Sequence, residues 1–345
     1  MNGKRFFIGA LAATALLLAA AAGLVAYADP LLTVGALEPG EAALFVNERY
    51  EMAGLIRRQE YSNLVMGTSM AANFRTYWFS ALPGGTMKVS FPDGRLSEFD
   101  IALDLAFRTH DAIDRVFFGL DPNILVRSGQ SVELPEYLYN DSPLDDFQFY
   151  LNAESLALAV ESLILGEEGK RTLDEAYVWD VTHTFSRAAA LESYPRPEAV
   201  SAPLPADAYL AAAGANVDVV CGWAERHPDT QFIVWFPPYS VLFWDQAQRQ
   251  GRTEALLNAI EYAWGRLLEQ DNVTVISFLN AQSVVTDLDN YTDHIHCSSA
   301  VAQWMAFKLA AGEWRIWSEA YQGQLDELRQ FVTGYDYDAV FAEDG

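Results

Sequence analysis

Leu64-Val65-Met66-Gly67-Thr68-Ser69-Met70 is the stretch on which the fold turns. Its leading apolar residues read as a short buried strand, and the small residues behind them let the chain turn sharply. A hydroxyl on such a turn sits at the C-terminal end of a strand, which is where a nucleophilic serine is presented. Ser69 has bland roles as well, filling a tight turn or, with Thr68, capping a helix. The sequence around it repeats the theme. Residues 63–66 predict the first core strand and 70–79 a helix. Residues 88–91 alternate as a strand ending in Pro92-Asp93-Gly94, and 97–109 predict a second helix. Residues 114–120 give a third strand, running into Asp121-Pro122-Asn123. Strand, helix, strand, helix, strand is the order of an α/β protein whose parallel sheet has helices on both faces. Ligands of such sheets bind beyond the carboxyl ends of the strands. Ser69, Gly94 and Asn123 all fall there.

Further along, residues 125–205 break the rhythm with polar and aromatic residues and helical segments at 153–165 and 173–178, as an insertion or cap would. The core pattern then resumes. Helices are expected at 206–226, 252–269 and 298–311, strands at 231–236 and 273–278, and a rigid turn at Pro237-Pro238-Tyr239-Ser240.

A second segment, Asp293-His294-Ile295-His296, precedes the last of these helices. An Asp three residues before a His can orient the imidazole, which can in turn take a serine proton. His296 is the candidate base at that spacing. His294 is its rival, lying one residue from Asp293, and Asp293 has the alternative role of stabilising the N-terminal end of the following helix. His110, His183 and His227 have no carboxylate at comparable spacing. Acyl transfer also needs donors for an oxyanion. Backbone N–H groups after Ser69 and at Gly94, with the Asn123 amide, are candidates, although Gly94 and Asn123 are also ordinary turn residues.

Composition narrows the classes. The 345 residues, 51 % hydrophobic with nine Trp, argue for a folded chain with a sizeable core. A formal net charge of −25, from 22 basic and 47 acidic residues, argues against a nucleic-acid partner, because phosphate contacts need a positive surface. Cys221 and Cys297 are too few for a metal cluster, no His-rich zinc spacing is present, and two buried thiols are expected. Lys4 and Arg5 precede an uncharged apolar run over residues 6–28. Ala26-Tyr27-Ala28 offers a signal-peptide cleavage site, while the length of the run, about that of a bilayer span, favours a retained anchor. Either way the positive flank places Asp29 onward outside the membrane. Residues 29–40 read as a short stalk, so the expected organisation is a 1–28 anchor or signal and a 29–345 catalytic domain with an insertion at about 125–205.

Taken together, these residues resemble the SGNH or GDSL hydrolase superfamily. Gly67-Thr68-Ser69 stands where that family has Gly-Asp-Ser, Asp293 to His296 matches its D-x-x-H block, and Gly94 and Asn123 match the glycine and asparagine of the intervening blocks. Two departures are plain: Thr68 replaces the usual Asp, and Gly119-Leu120-Asp121-Pro122-Asn123 replaces Gly-x-Asn-Asp. The apolar N-terminus, Phe236-Pro237-Pro238-Tyr239-Ser240 and residues 287–293 look like a bacterial cell-surface branch akin to the D-alanyl-lipoteichoic acid biosynthesis protein D group. The resemblance implies a three-layer α/β/α fold, no metal or other cofactor, and acyl-serine chemistry with Ser69, Asp293 and His296 as catalytic residues and Gly94 and Asn123 at the oxyanion. The expected function is an extracytoplasmic esterase or O-acyltransferase acting on acetyl or D-alanyl esters of a cell-envelope glycopolymer. Its expected partners are that glycopolymer or an acyl carrier, and a membrane-bound acyl-donor protein. Two rivals stand beside it: a non-catalytic scaffold or glycan-binding protein on the same fold, and a lipase- or thioesterase-like hydrolase.

Overall fold

The computed structural model of the chain describes residues 3–35, 37, 40–129, 132–142, 144–166 and 168–342. Ala36, Glu38 and Pro39 of the expected stalk, and Gln130, Ser131, Pro143 and Glu167 of the expected insertion, lie outside the described residues. The chain divides into two compact units. The larger comprises residues 60–100, 112–132 and 177–345; the smaller comprises 1–59, 101–111 and 133–176.

The larger unit is built on five strands, β1 (Asn63–Gly67), β2 (Thr86–Ser90), β3 (Arg115–Gly119), β4 (Gln231–Phe236) and β5 (Val273–Ser277). All pair in parallel in the order β2-β1-β3-β4-β5. Such strands are covered on both faces, and β1 accordingly buries every residue it has. β3 shows the layering most directly. Successive side chains of a strand point to opposite faces: Phe117 packs on Phe79 at 5.1 Å, while Phe118 packs on Phe99 at 5.3 Å and Trp223 at 5.0 Å. The result is the expected α/β architecture, a three-layer α/β/α sandwich. Gly119 ends β3 against the Trp235 ring of β4, where a Cβ would lie 2.7 Å from the indole, so only glycine lets the two strands approach there.

The strand order fixes where a ligand can bind. From β1 the chain moves outward to β2, then returns past β1 to β3 and continues to β4 and β5. The connections reverse direction between β1 and β3, and the crevice beyond the carboxyl ends at such a reversal is the usual ligand site of open α/β sheets. Ser69 follows β1 and Asn123 follows β3.

Local departures from expectation have local causes. Residues 70–79 form no single helix: Ser69–Ala72 is one turn, and a 3-10 turn follows at Thr76–Phe79. Between them Asn73 uses its side chain in tertiary bonds, accepting from Trp179 N at 2.7 Å and donating to Cys297 O at 2.9 Å. Residues 173–178 are turns, not the expected helix. The Glu175 carboxylate folds back onto the Thr172 N–H and hydroxyl, and Tyr177 takes a left-handed φ of 59°. Helix Val241–Arg249 follows the Pro-Pro turn, capped by Ser240 on Leu242 N, and helix Tyr321–Gly334 follows the 298–311 region. Neither was anticipated.

In the smaller unit the Gly3–Ala28 helix is long and apolar enough to cross a membrane. It is joined there by helices Glu48–Arg58 and Ala153–Leu165, and by a bridge in which Ala43 and Arg171 exchange backbone hydrogen bonds at 2.8 Å. Of the expected insertion, 133–176 groups with this unit, and 125–132 and 177–205 with the larger.

Candidate active site

The turn after β1 places Ser69 as the first residue of a helical turn. Thr68 is its N-cap, bonding Met70 N, so the Ser69 N–H is among those with no intrahelical partner. The 293–296 loop reaches this point although it lies on the far side of the chain. Ser240, at the end of the β4 turn, donates to His294 O at 2.8 Å, and the Tyr291 hydroxyl donates to Pro238 O at 2.6 Å. Asn73 clamps the next carbonyl along, that of Cys297.

With the loop so held, Ser69 Oγ is 2.7 Å from His296 Nε2, and His296 Nδ1 is 2.6 Å from Asp293 Oδ2. Asp293 Oδ1 accepts from Ile295 N at 2.8 Å and His296 N at 2.7 Å, which fixes the carboxylate on the loop it organises. Burial pushes the Asp293 carboxyl up, but the bonds and charge from His296 and the two backbone donors outweigh it, and the group lies below its ordinary value. An ionised Asp293 receives Nδ1–H, which leaves the Nε2 lone pair for the serine hydroxyl. His294 does not compete. It is burial that holds its imidazole pKa below the ordinary value, against the pull of Asp293, and its ring lies toward Tyr194. Cys221 and Cys297 are buried free thiols, and desolvation pushes Cys297 up to about 12.

Around the serine is a cleft of about 270 Å³, whose wall includes Gly94, Asn123, Arg127, Trp179 and Tyr239. Asn123 stands on the turn that Asp121 caps, Asp121 Oδ1 accepting from Asn123 N and Ile124 N at 3.0 Å each. Its side-chain amide donates to the Tyr239 hydroxyl at 3.4 Å, a loose bond that leaves donor capacity facing the cleft. Gly94 lines the cleft too, yet its N–H is already committed to Phe91 O at 2.9 Å. The donors left for an oxyanion are therefore the Ser69 N–H and the Asn123 amide. Arg127 is held by Asp93, donating to its carbonyl at 2.8 Å and pairing with its carboxylate.

Asp121 and Trp179 carry no motif that the sequence exposes, whereas Tyr239 lies in the aromatic run after β4, a candidate cleft lining by sequence. Asp121 is buried and accepts the Thr68 hydroxyl at 2.7 Å, linking the β1 turn to the β3 turn. Tyr239 is fully buried, and burial followed by the nearby Asp121 charge pushes its hydroxyl well above the ordinary range, so it stays a donor. Trp179 stacks on His296 at 3.9 Å between centroids and 24° between planes, and meets the His183 ring at 4.5 Å with a tilt of 34°. Only its aromatic character could have flagged it. Among the described residues no cluster of three or more His, Cys, Asp or Glu is arranged to hold a metal ion.

No protein-family model matches the chain, and no curated protein matches it. Among solved structures it is similar to one described as a "putative platelet activating factor from Streptococcus pneumonia", with a TM-score of 0.39 and 12 % identity, covering 77 % of this chain and 89 % of that one.

Proposed function

We propose that this chain is a serine esterase or O-acyltransferase of SGNH type, anchored by the Gly3–Ala28 helix and acting outside the cytoplasm on acyl esters of a cell-envelope glycopolymer. One observation carries the chemistry: the unbroken line of hydrogen bonds from Ser69 through His296 to Asp293, with distances of 2.7 and 2.6 Å. In this proposal Ser69 Oγ attacks the acyl carbon while His296 Nε2 takes its proton. Asp293 holds the ring and stabilises the imidazolium, and the stacked face of Trp179 adds to that stabilisation. The negative charge that forms on the acyl oxygen is met by the Ser69 N–H and the Asn123 amide. The proton then passes to the departing alcohol, leaving an acyl-serine, and the neutral His296 activates water or an acceptor hydroxyl for the second half. The glycopolymer, an acetyl or D-alanyl acyl group and an acyl-donor partner rest on the sequence resemblance alone.

The test is labelling of the full chain with a fluorophosphonate probe beside Ser69→Ala and His296→Ala. Labelling of the wild type, lost in both variants, is expected. A folded wild type that takes no label would overturn the proposal.

A further inference from the structure

The helix Ala153–Leu165 in the smaller unit leaves large apolar side chains exposed while only two small residues are buried. Its inward side carries Ser155, 4 % exposed, and Ala159, 0 %. Outward lie Val160, Leu163 and Ile164, the last 78 % exposed, and Leu144, Phe147 and Leu151 of the preceding segment extend the apolar surface. Ala153, Ala157, Val160 and Ile164 recur at helical spacing, so the exposed stripe is continuous. A contiguous apolar patch of this kind marks an interaction surface.

What covers it follows from the neighbouring helix. Ala153–Leu165 packs against Gly3–Ala28, whose residues 3–20 are all exposed and whose partly covered positions begin at Ala21, with Val25 fully buried. The bare stretch rises about 27 Å at ~1.5 Å per residue, close to the roughly 30 Å hydrocarbon core of a bilayer. If that stretch crosses the membrane, residues 21–28 emerge at its far boundary, and whatever packs on them is held at the level of the headgroups.

We infer that Ala153–Leu165 and the Phe147–Tyr150 turn before it form a membrane-docking surface. They lie in the extracytoplasmic lipid boundary with Val160, Leu163 and Ile164 among the acyl chains. This rests on the anchor retained in the proposed function. The occupant is lipid and not a soluble protein, because the helix that bears the stripe packs against the helix that is long and apolar enough to cross a membrane. The attraction is apolar and not electrostatic, because the charged residues flanking the stripe are Glu154 and Glu161.

The experiment uses the full-length chain in phosphatidylcholine vesicles, with an environment-sensitive fluorophore attached through Ile164→Cys or Leu163→Cys. Val200→Cys is the reference, an exposed site in the larger unit, and the native cysteines are buried and do not compete. At 163 and 164 the fluorescence should shift to the blue and be quenched by nitroxide lipids. Quenching there by aqueous iodide should be several-fold weaker than at 200 and unchanged between low and high salt. Iodide quenching equal to that at 200 would overturn the inference, as would shielding from both quenchers, which would mean a protein covers the face. A chain that fails to float with the vesicles would overturn the anchor as well, whereas a floating chain with a water-exposed label would overturn the docking surface alone.

Discussion

At the scale of single residues the site depends on who donates to whom. Asp293 is tied by its own loop and its carboxyl lies below the ordinary value. A depressed carboxyl contributes stability that is present above its unfolded value and lost as pH falls through the folded one. The gap in thermal midpoint between the wild type and Asp293→Asn should therefore be widest near neutral pH and close as the pH falls below about 4; a gap independent of pH would refute the ionised assignment. Turnover should fall more sharply than stability. Asn cannot accept Nδ1–H in the same way, and a loss on the order of 10³- to 10⁴-fold in kcat is expected with a chromogenic ester. Asn123→Ala should cost about 10- to 10³-fold in kcat with little change in KM, because an oxyanion donor acts on the transition state. A loss confined to KM would make Asn123 a binding residue instead. The motif residues Ser69, Asp293 and His296 were legible because their chemistry demands those types at those spacings. Gly94 was legible only as a turn, and its N–H already bonded to Phe91 O could not be read. Tyr239 was legible as an aromatic beyond a strand end, but the contacts by which Asp121, Tyr239 and Trp179 meet the site cross 53, 116 and 106 residues of sequence, to Thr68, Asn123 and Asn73, and no local pattern encodes those.

At the scale of elements, the strands were legible because a doubly covered sheet demands apolar runs, and β4 was anticipated residue for residue at Gln231–Phe236. Helices were less so where tertiary bonds overrode periodicity, as at Asn73 and Thr172–Glu175, or where a Pro-Pro turn hid the Ser240 cap of the helix beyond it. Helix Glu48–Arg58 shows how one element can hold a pH dependence. Glu51 on its first turns is fully buried, and its Oε1 accepts from Val46 N at 2.6 Å and Asn47 N at 3.0 Å, while Oε2 has no hydrogen-bond partner among the described residues. Burial pushes its pKa up to about 7 against those two backbone bonds. A carboxyl raised in the fold is protonated there when it would be ionised in the unfolded chain. Its contribution is complete below the unfolded value near 4.5 and is lost as pH rises toward 7. Glu51→Gln keeps the accepting oxygen without the charge. It should be more stable than the wild type at pH 8, by about 2–3 kcal/mol, and nearly equal to it at pH 4.5; denaturant midpoints at the two pH values decide this. Equal midpoints at both would mean that water or a cation reaches Oε2.

At the scale of the whole chain the dominant fact is the excess of 25 negative charges, from 47 acidic against 22 basic residues. Several of the basic groups are already committed to carboxylates. Arg196 holds Asp245 at 2.8 Å and Asp338 at 2.6 Å, Arg226 holds Asp100 at 2.9 Å, and Arg108 holds Asp104 at 2.8 Å together with Asp141. Asp245 is buried, so its pair with Arg196 is screened little; the other pairs have exposed carboxylates and contribute little each, about 0–1 kcal/mol, so screening them costs little. The surplus acidic groups repel one another over distances comparable to the ~10 Å Debye length at 0.1 M salt, and that repulsion favours the expanded unfolded chain. Screening should therefore remove more repulsion than attraction. Between about 10 mM and 300 mM sodium chloride the thermal midpoint should rise, most steeply at the lowest salt, and the rise should shrink as the pH is lowered toward the sequence pI near 4.4. A midpoint that falls with salt at neutral pH would show that the Arg–carboxylate pairs outweigh the surplus. The docking helix should not respond in step, since apolar insertion is insensitive to screening. Salt can thus separate the stability of the folded units from their attachment to the membrane.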